Sequence, residues 1–176
     1  MAEVVKPAGD EAGGVAAPAP LTPAHDLSQF SSGKPALDEW LRTSALDSEG
    51  RTARTYVVCE GNKVVGYYCI STGSVERRAM PSKMKRARGL PNQVPVAIIG
   101  RLARDQTLIG KGLGKDLLRD ALTRILAASR IIGLRAVLVH ALDDDAVRFW
   151  KGQEFIECPV GARTFYLPIE TITGAI

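Results

Sequence analysis

Three glycines, Gly110, Gly112 and Gly114, alternate with Lys111 and Leu113 just ahead of the most regular helical pattern in the chain. Glycine takes a positive φ without strain and lets a backbone approach a ligand closely. The N-terminus of the following helix adds free N–H groups and about half a positive charge. Together these features make an anion site, and Lys111 and Lys115 add charge beside it. A nucleoside triphosphate loop needs serine or threonine after its closing lysine; Asp116 follows Lys115 instead. A dinucleotide loop needs G-x-G-x-x-G, a spacing that residues 110–114 lack. What stays open is a phosphate ligand of another kind, with a glycine-rich turn that binds nothing as the plainer alternative.

A second concentration of charge comprises Arg77, Arg78, Lys83, Lys85, Arg86 and Arg88, opposed within it by Glu76. Such a stretch serves the phosphates of a nucleic acid or an anionic cofactor, or is a solvated loop. The formal net charge is +4. Residues 1–26 hold Lys6 against Glu3, Asp10, Glu11 and Asp26, so the positive excess lies in the remainder. Cys59, Cys69 and Cys158 are far apart, and His25 and His140 are the histidines, so no metal site is expected. His140 ends a strand pattern and reads first as a structural hydrogen-bonding residue.

The elements that must position these groups follow from periodicity. Residues 1–24, rich in Ala, Pro and Gly, read as a disordered tail, leaving one domain over 25–176. Pro35 can open a helix whose apolar face is Leu37, Trp40, Leu41 and Ala45, with Gly50 as its stop. Thr55–Cys59 and Val64–Ile70 read as strands joined by a turn at Gly61-Asn62. Met80, Met84 and Ala87 predict a short amphipathic helix within the basic stretch, with Pro81 near its start. Val94–Ala103 reads as a strand in which Val96, Ala97, Ile98 and Ile99 form a nearly continuous apolar run, which suits burial on both faces. Leu113, Leu117, Leu118, Ala121, Leu122, Ile125 and Leu126 predict the main helix, ending before Gly133. Ala136–Val139 is another buried strand. Asp143, Asp144 and Asp145 offer caps for a helix through Trp150, and Phe155–Cys158 and Thr164–Leu167 close the chain as strands. The class is α/β. No apolar run approaches the ~20 residues needed to span a bilayer. Residues 1–24 build no export segment, so a reducing, cytoplasmic setting is expected.

The glycine loop resembles the pyrophosphate loop of the GNAT acetyltransferase superfamily, Q/R-x-x-G-x-G/A, read here as Ile109-Gly110-Lys111-Gly112-Leu113-Gly114. The chain is more specifically similar to the GNAT toxins of type II toxin–antitoxin modules, over about residues 20–170. Phrases that carry this are Pro20-Leu21-Thr22, His25-Asp26-Leu27, Leu37-Asp38-Glu39-Trp40-Leu41 and Val57-Val58-Cys59-Glu60. Val65-Gly66-Tyr67-Tyr68, Gly100-Arg101-Leu102-Ala103 and His140-Ala141-Leu142-Asp143 complete the set.

The resemblance implies a single domain whose mixed sheet splays around a cofactor cleft and is flanked by helices. Acetyl-CoA would lie between the Val96–Ala103 and Leu134–His140 strands. Backbone groups of Leu102 and Ala103 would meet its pantetheine arm, and amides of Ile109, Gly110, Lys111, Gly112, Leu113, Gly114 and Lys115 its pyrophosphate. Asp143 stands where many relatives carry an asparagine near that arm. Such toxins acetylate the α-amino group of aminoacyl-tRNA and so block translation. Their partner is a ribbon-helix-helix antitoxin, through whose complex alone operator DNA is reached; the family leaves room for a homodimer. The six basic residues at 77–88 would then meet tRNA phosphate. Small-amine or protein N-acetylation, or a weakened member that only binds acetyl-CoA and antitoxin, are the alternative activities.

Two positions depart from the pattern. Ile109 replaces the family's Gln or Arg. In the motif F-Y-x-x-x-G-F, read here as Phe149-Trp150-Lys151-Gly152-Gln153-Glu154-Phe155, Trp150 replaces the tyrosine placed as general acid. An indole N–H donates a hydrogen bond but is no acid at useful pH. Tyr166 is the candidate substitute acid, if its strand passes the cleft.

Overall fold

The computed structural model describes residues 15–159 and 161–172. Seven strands form one open mixed sheet: β1 (Ala19–Pro20), β2 (Arg54–Glu60), β3 (Lys63–Glu76), β4 (Gln93–Arg104), β5 (Ala136–His140), β6 (Ile156–Glu157) and β7 (Thr164–Pro168). Their order is β1-β2-β3-β4-β5-β7-β6, and β4 and β5 are the parallel pair among antiparallel neighbours. The helices are α1 (Pro35–Thr43), α2 (Ala45–Ser48), α3 (Ser82–Lys85), α4 (Leu113–Ser129), α5 (Asp144–Gly152) and α6 (Ile169–Ile172). Parallel strands need a crossover between them, and α4 supplies it.

One face of the sheet carries α4, α5 and α6. Leu113, Leu117, Leu118, Ala121, Leu122 and Ile125 form the buried stripe of α4 and pack with Val58, Tyr68, Ala97, Ile99, Val137 and Phe165. The other face is covered in two patches. Beneath α1, Leu41 packs with Phe30, Val57, Val64, Tyr67 and Ala103, with Leu37 and Trp40 half-buried beside them. Under the basic segment, Met80 and Met84 pack with Val94, Val96, Leu138 and Tyr166. Strand alternation thus assigns odd and even residues of β5, and of β4 as far as Ile99, to opposite layers.

The hairpin turn stands as the dipeptide predicts, with Glu60 opposite Lys63 across Gly61-Asn62. The tail is a correction in part. Residues 1–14 lie outside the described residues, but Ala19 and Pro20 pair with Val57 and Tyr56, and Leu21 is buried and donates its N–H to Thr55 O. One buried leucine and an available sheet edge order a segment that has no periodicity of its own. The strand β3 runs to Glu76 rather than Ile70, because pairing with Gln93–Ile98 recruits the polar residues Ser71–Ser74. The basic stretch holds a 3-10 turn at Arg77–Ala79 before α3, and the buried methionines anchor both. The helix α6 has no counterpart in the sequence pattern; it packs Ile172 against the α4 layer.

Candidate active site

A split in the sheet makes the site. β4 and β5 pair through Val96–Ile99 and Ala136–Val139, and then separate. Gly100 is the extra residue of a bulge: Ile99 pairs with Ile70 and Arg101 with Cys69, so Gly100 has no opposite number on β3. A bulge bends its strand and raises the local twist, which turns Gly100–Arg104 away from β5. The gap opens into a cleft of ≈ 690 Å³. Gly100–Arg104, the glycine loop, His140–Asp143 and the inner side of α5 line it.

At one mouth lies the loop. Gly110 and Gly112 both have φ +79, the left-handed region that a side chain resists. A Cβ added to either would meet nothing within 4 Å among the described residues, so the space before them is open to a ligand. Gly112 is the N-cap residue of α4, with no side-chain cap. The Asp116 N–H bonds to Gly112 O, so the N–H groups of Leu113, Gly114 and Lys115 come ahead of the first intrahelical bond, and these residues line the cleft. This combination of left-handed glycines, uncapped helix and open space fits a diphosphate. Gly110, Gly112, Leu113, Gly114 and Lys115 therefore come together at the cleft with Leu102 and Ala103. Ile109 is 60% exposed, and neither it nor Lys111 is part of the cleft lining.

Asp105 steadies the approach to the loop. Its carboxylate accepts from Thr107 N at 3.0 Å, Thr107 Oγ1 at 2.9 Å and Ser31 N at 3.0 Å. Burial pushes this carboxyl up, but the hydrogen bonds from Thr107 and Ser31 outweigh it and hold the group below the usual carboxylate range. A depressed folded pKa gives stability that is present above the unfolded value and is lost as pH falls through the folded one. Asp105→Asn is expected to cost about 2 kcal/mol near neutrality, roughly 4–8 °C in melting temperature. The gap between variant and wild type should begin to narrow below about pH 4 and go on narrowing as pH falls through the lower folded value; melts at pH 7 and pH 3 check both expectations.

Asp143 does two jobs. One oxygen caps α5, accepting from Ala146 N at 2.9 Å. The other pairs with Lys34, which also reaches Asp145 at 3.2 Å. The Lys34 ammonium, then the cap, hold the Asp143 carboxyl below its ordinary value. Lys34 thus ties the entrance of α1 to the entrance of α5 across the cleft. Sequence reasoning missed it, and 109 positions of separation left no local signal. Arg101 was also missed. It lines the cleft, and its guanidinium lies 4.3 Å from the centre of the Trp40 ring.

Trp150 lines the cleft from α5, 5% exposed. Its ring meets Phe149 and Phe155 edge-on at 4.9 Å and 5.0 Å. Tyr166 does not reach the cleft lining. β7 turns it into the methionine patch, where burial and then the neighbouring Cys158 thiol push its phenol up to about 12. The basic residues also stand apart from the cleft, on the face that carries α1. Arg77, Arg78, Lys83, Arg86 and Arg88 are exposed and Lys85 is half-buried. Arg78 pairs with Glu76, and Arg77 donates to Leu90 O at 3.3 Å. Among the described residues no cluster of His, Cys, Asp and Glu could hold a metal, and no helix is long and apolar enough to cross a membrane.

Comparison with known proteins gives the same picture. Residues 21–155 match the model of the acetyltransferase (GNAT) family. A tRNA-acetylating toxin of Mycobacterium tuberculosis is 43% identical over 143 residues, which cover 81% of this chain and 85% of the toxin. The structure of AtaT complexed with acetyl-methionyl-tRNAfMet superposes with a TM-score of 0.85 at 28% identity, covering 92% of this chain and 99% of that one. A tyrosine-to-phenylalanine mutant of AtaT, bound to the C-terminus of the antitoxin AtaR and acetyl-CoA, gives 0.78 at 28% identity, covering 93% and 98%.

Proposed function

The chain belongs to the GNAT acetyltransferase family, and on that premise we propose that it is a toxin that acetylates the α-amino group of aminoacyl-tRNA and so stops translation. One observation carries the reading. The split between β4 and β5 has left-handed glycines and the start of α4 at one mouth, and an exposed basic segment shares the face onto which its other side opens. The first arrangement suits the diphosphate of acetyl-CoA, and the second suits the backbone of a tRNA. Acetyl-CoA supplies an activated acetyl thioester when bound. Leu102 and Ala103 would meet its pantetheine arm, the amides from Gly110 to Lys115 its diphosphate, and Asp143 would hold the entrance of α5 beside it. By analogy with AtaR and AtaT, an antitoxin would cover this chain in a cytoplasmic toxin–antitoxin complex, and DNA would be reached through that complex.

Incubation with radiolabelled acetyl-CoA and total charged tRNA tests the proposal; RNA that stays unlabelled refutes it.

Trp150 favours a second reading, a chain that binds acetyl-CoA and antitoxin but turns over slowly. Holding the acceptor amine and the thioester in alignment accounts for roughly 7–11 kcal/mol of barrier lowering. A general acid adds typically ~10²–10⁴-fold, and an indole cannot donate its proton. Trp150→Tyr is therefore expected to raise single-turnover acetyl transfer by at least ~10-fold without tightening acetyl-CoA binding. An unchanged or lower rate would mean that this site works without an acid from α5.

A further inference from the structure

The cleft also holds a histidine, on the opposite side of the split from Trp150. His140 is the last residue of β5, is exposed, and lines the cleft beside Ile99 and Gly100. Along β5, Val137 and Val139 belong to the α4 layer, whereas Ala136 and Leu138 belong to the methionine patch. His140 continues the second set. It therefore stands on the sheet face that carries α1 and the basic segment, from which a tRNA-borne acceptor would approach. Trp150 stands on the other face.

The Thr164 hydroxyl is the hydrogen-bond partner of the ring. Nδ1 lies 3.0 Å from Thr164 Oγ1. Thr164 is buried, and the same hydroxyl lies 3.4 Å from Ala162 O. A carbonyl oxygen only accepts; a hydroxyl that donates to Ala162 O accepts at the same time from Nδ1–H. The neutral ring then carries its proton on Nδ1 and presents the Nε2 lone pair to the cleft. A neighbour that fixes the tautomer is what turns an imidazole into an oriented base. The charged groups that share the cleft with it are Lys34 ahead of α1, Arg101 and Arg104 on β4, Lys115 on α4, and Asp143 and Asp145 at the start of α5. The two carboxylates among them are both paired with Lys34.

We infer that His140 is the general base of the transfer, and that Thr164 is the positioning residue that holds its Nε2 free. The inference rests on the acetyltransferase reading above. The acceptor enters as a neutral amine. As its nitrogen bonds the acetyl carbonyl carbon, the C–S bond breaks and its electron pair leaves on sulfur. The proton shed by nitrogen goes to His140 Nε2 and from there to solvent.

Two experiments on the full chain decide it. In the first, the protein is labelled with 15N-histidine and its ring tautomers are read from two-bond nitrogen–proton correlations. His140→Gln identifies the signal among the two histidines. The Nδ1–H form is expected, and Thr164→Val should abolish the preference; a dominant Nε2–H form overturns the inference. The second measures acetyl transfer to charged tRNA, to amino-acid esters and to simple amines of differing basicity. For every acceptor that wild type uses, His140→Gln should lower kcat ~100-fold and leave the acetyl-CoA dissociation constant unchanged. Free imidazole should partly rescue His140→Gly. A loss below about threefold overturns the assignment. Wild-type transfer to small amines but not to tRNA defeats the tRNA reading, and His140 is then judged on those amines. Transfer to no amine at all defeats both.

Discussion

Replacing Gly112 with valine is expected to lower acetyl-CoA affinity at least ~100-fold while leaving the domain folded. Gly112 holds φ +79 and ψ 5 at the cap of α4. A β-branched residue is strained there by at least about 1–2 kcal/mol. Its side chain would also point into space where no described residue comes within 4 Å of a Cβ. The protein therefore has nothing to clash with, and the added carbons fall where a diphosphate would sit. A hundredfold loss corresponds to about 2.7 kcal/mol, less than an excluded phosphate and its N–H bonds would forfeit. Calorimetric titration with acetyl-CoA measures it. Gly61→Ala is the control, since Gly61 also has a positive φ with nothing near its Cβ, but lies in the β2–β3 hairpin. It should lower the melting temperature comparably and leave binding alone. Binding by Gly112→Val within threefold of wild type would remove the loop from the cofactor site.

Removing the exposed charges of the basic segment is expected to act on the other substrate. The variant carries Arg77→Ala, Arg78→Ala, Lys83→Ala, Arg86→Ala and Arg88→Ala. It leaves the half-buried Lys85 and the anchors Met80 and Met84 in place. Each lost phosphate contact flattens the slope of log affinity against log salt by roughly 0.7–0.9. Five would flatten it by about 4 and lower charged-tRNA affinity at least ~100-fold at low salt. Arg78 should contribute least, because Glu76 already pairs with it. Acetyl-CoA affinity should not change, since none of these residues lines the cleft. Filter binding of charged tRNA across a salt series is the measurement. An unchanged slope would move the tRNA elsewhere and strengthen the case for a small-amine acceptor.

The glycine loop and the basic segment are both legible in the amino-acid sequence. Alternating glycines ahead of a helix stripe are a local pattern, because the backbone geometry that needs them spans only five residues. The stripe Leu113–Ile125, the Gly61-Asn62 turn and the Asp143 cap are local in the same sense. What is not legible depends on pairing across long separations. Lys34 meets Asp143, Arg101 stacks on Trp40, and His140 Nδ1 meets the Thr164 hydroxyl. None of these pairs leaves a spacing rule in the sequence. Tyr166 shows the converse: strand alternation alone could not tell which face of β7 would look toward the cleft, and it looks toward Cys158.

The sequence by itself therefore determined most of the elements, the glycine loop and the family resemblance, since each depends on contacts within a few residues or on the order of motifs. It also placed a tryptophan at the family's tyrosine position. Only the tertiary structure decided that Gly100 is a bulge, that β4 and β5 part after Ile99, and that His140 and the basic segment share a face. A one-residue bulge and a strand's register are set by partners far away in the sequence. Those partners make the glycine loop one end of a two-sided cleft.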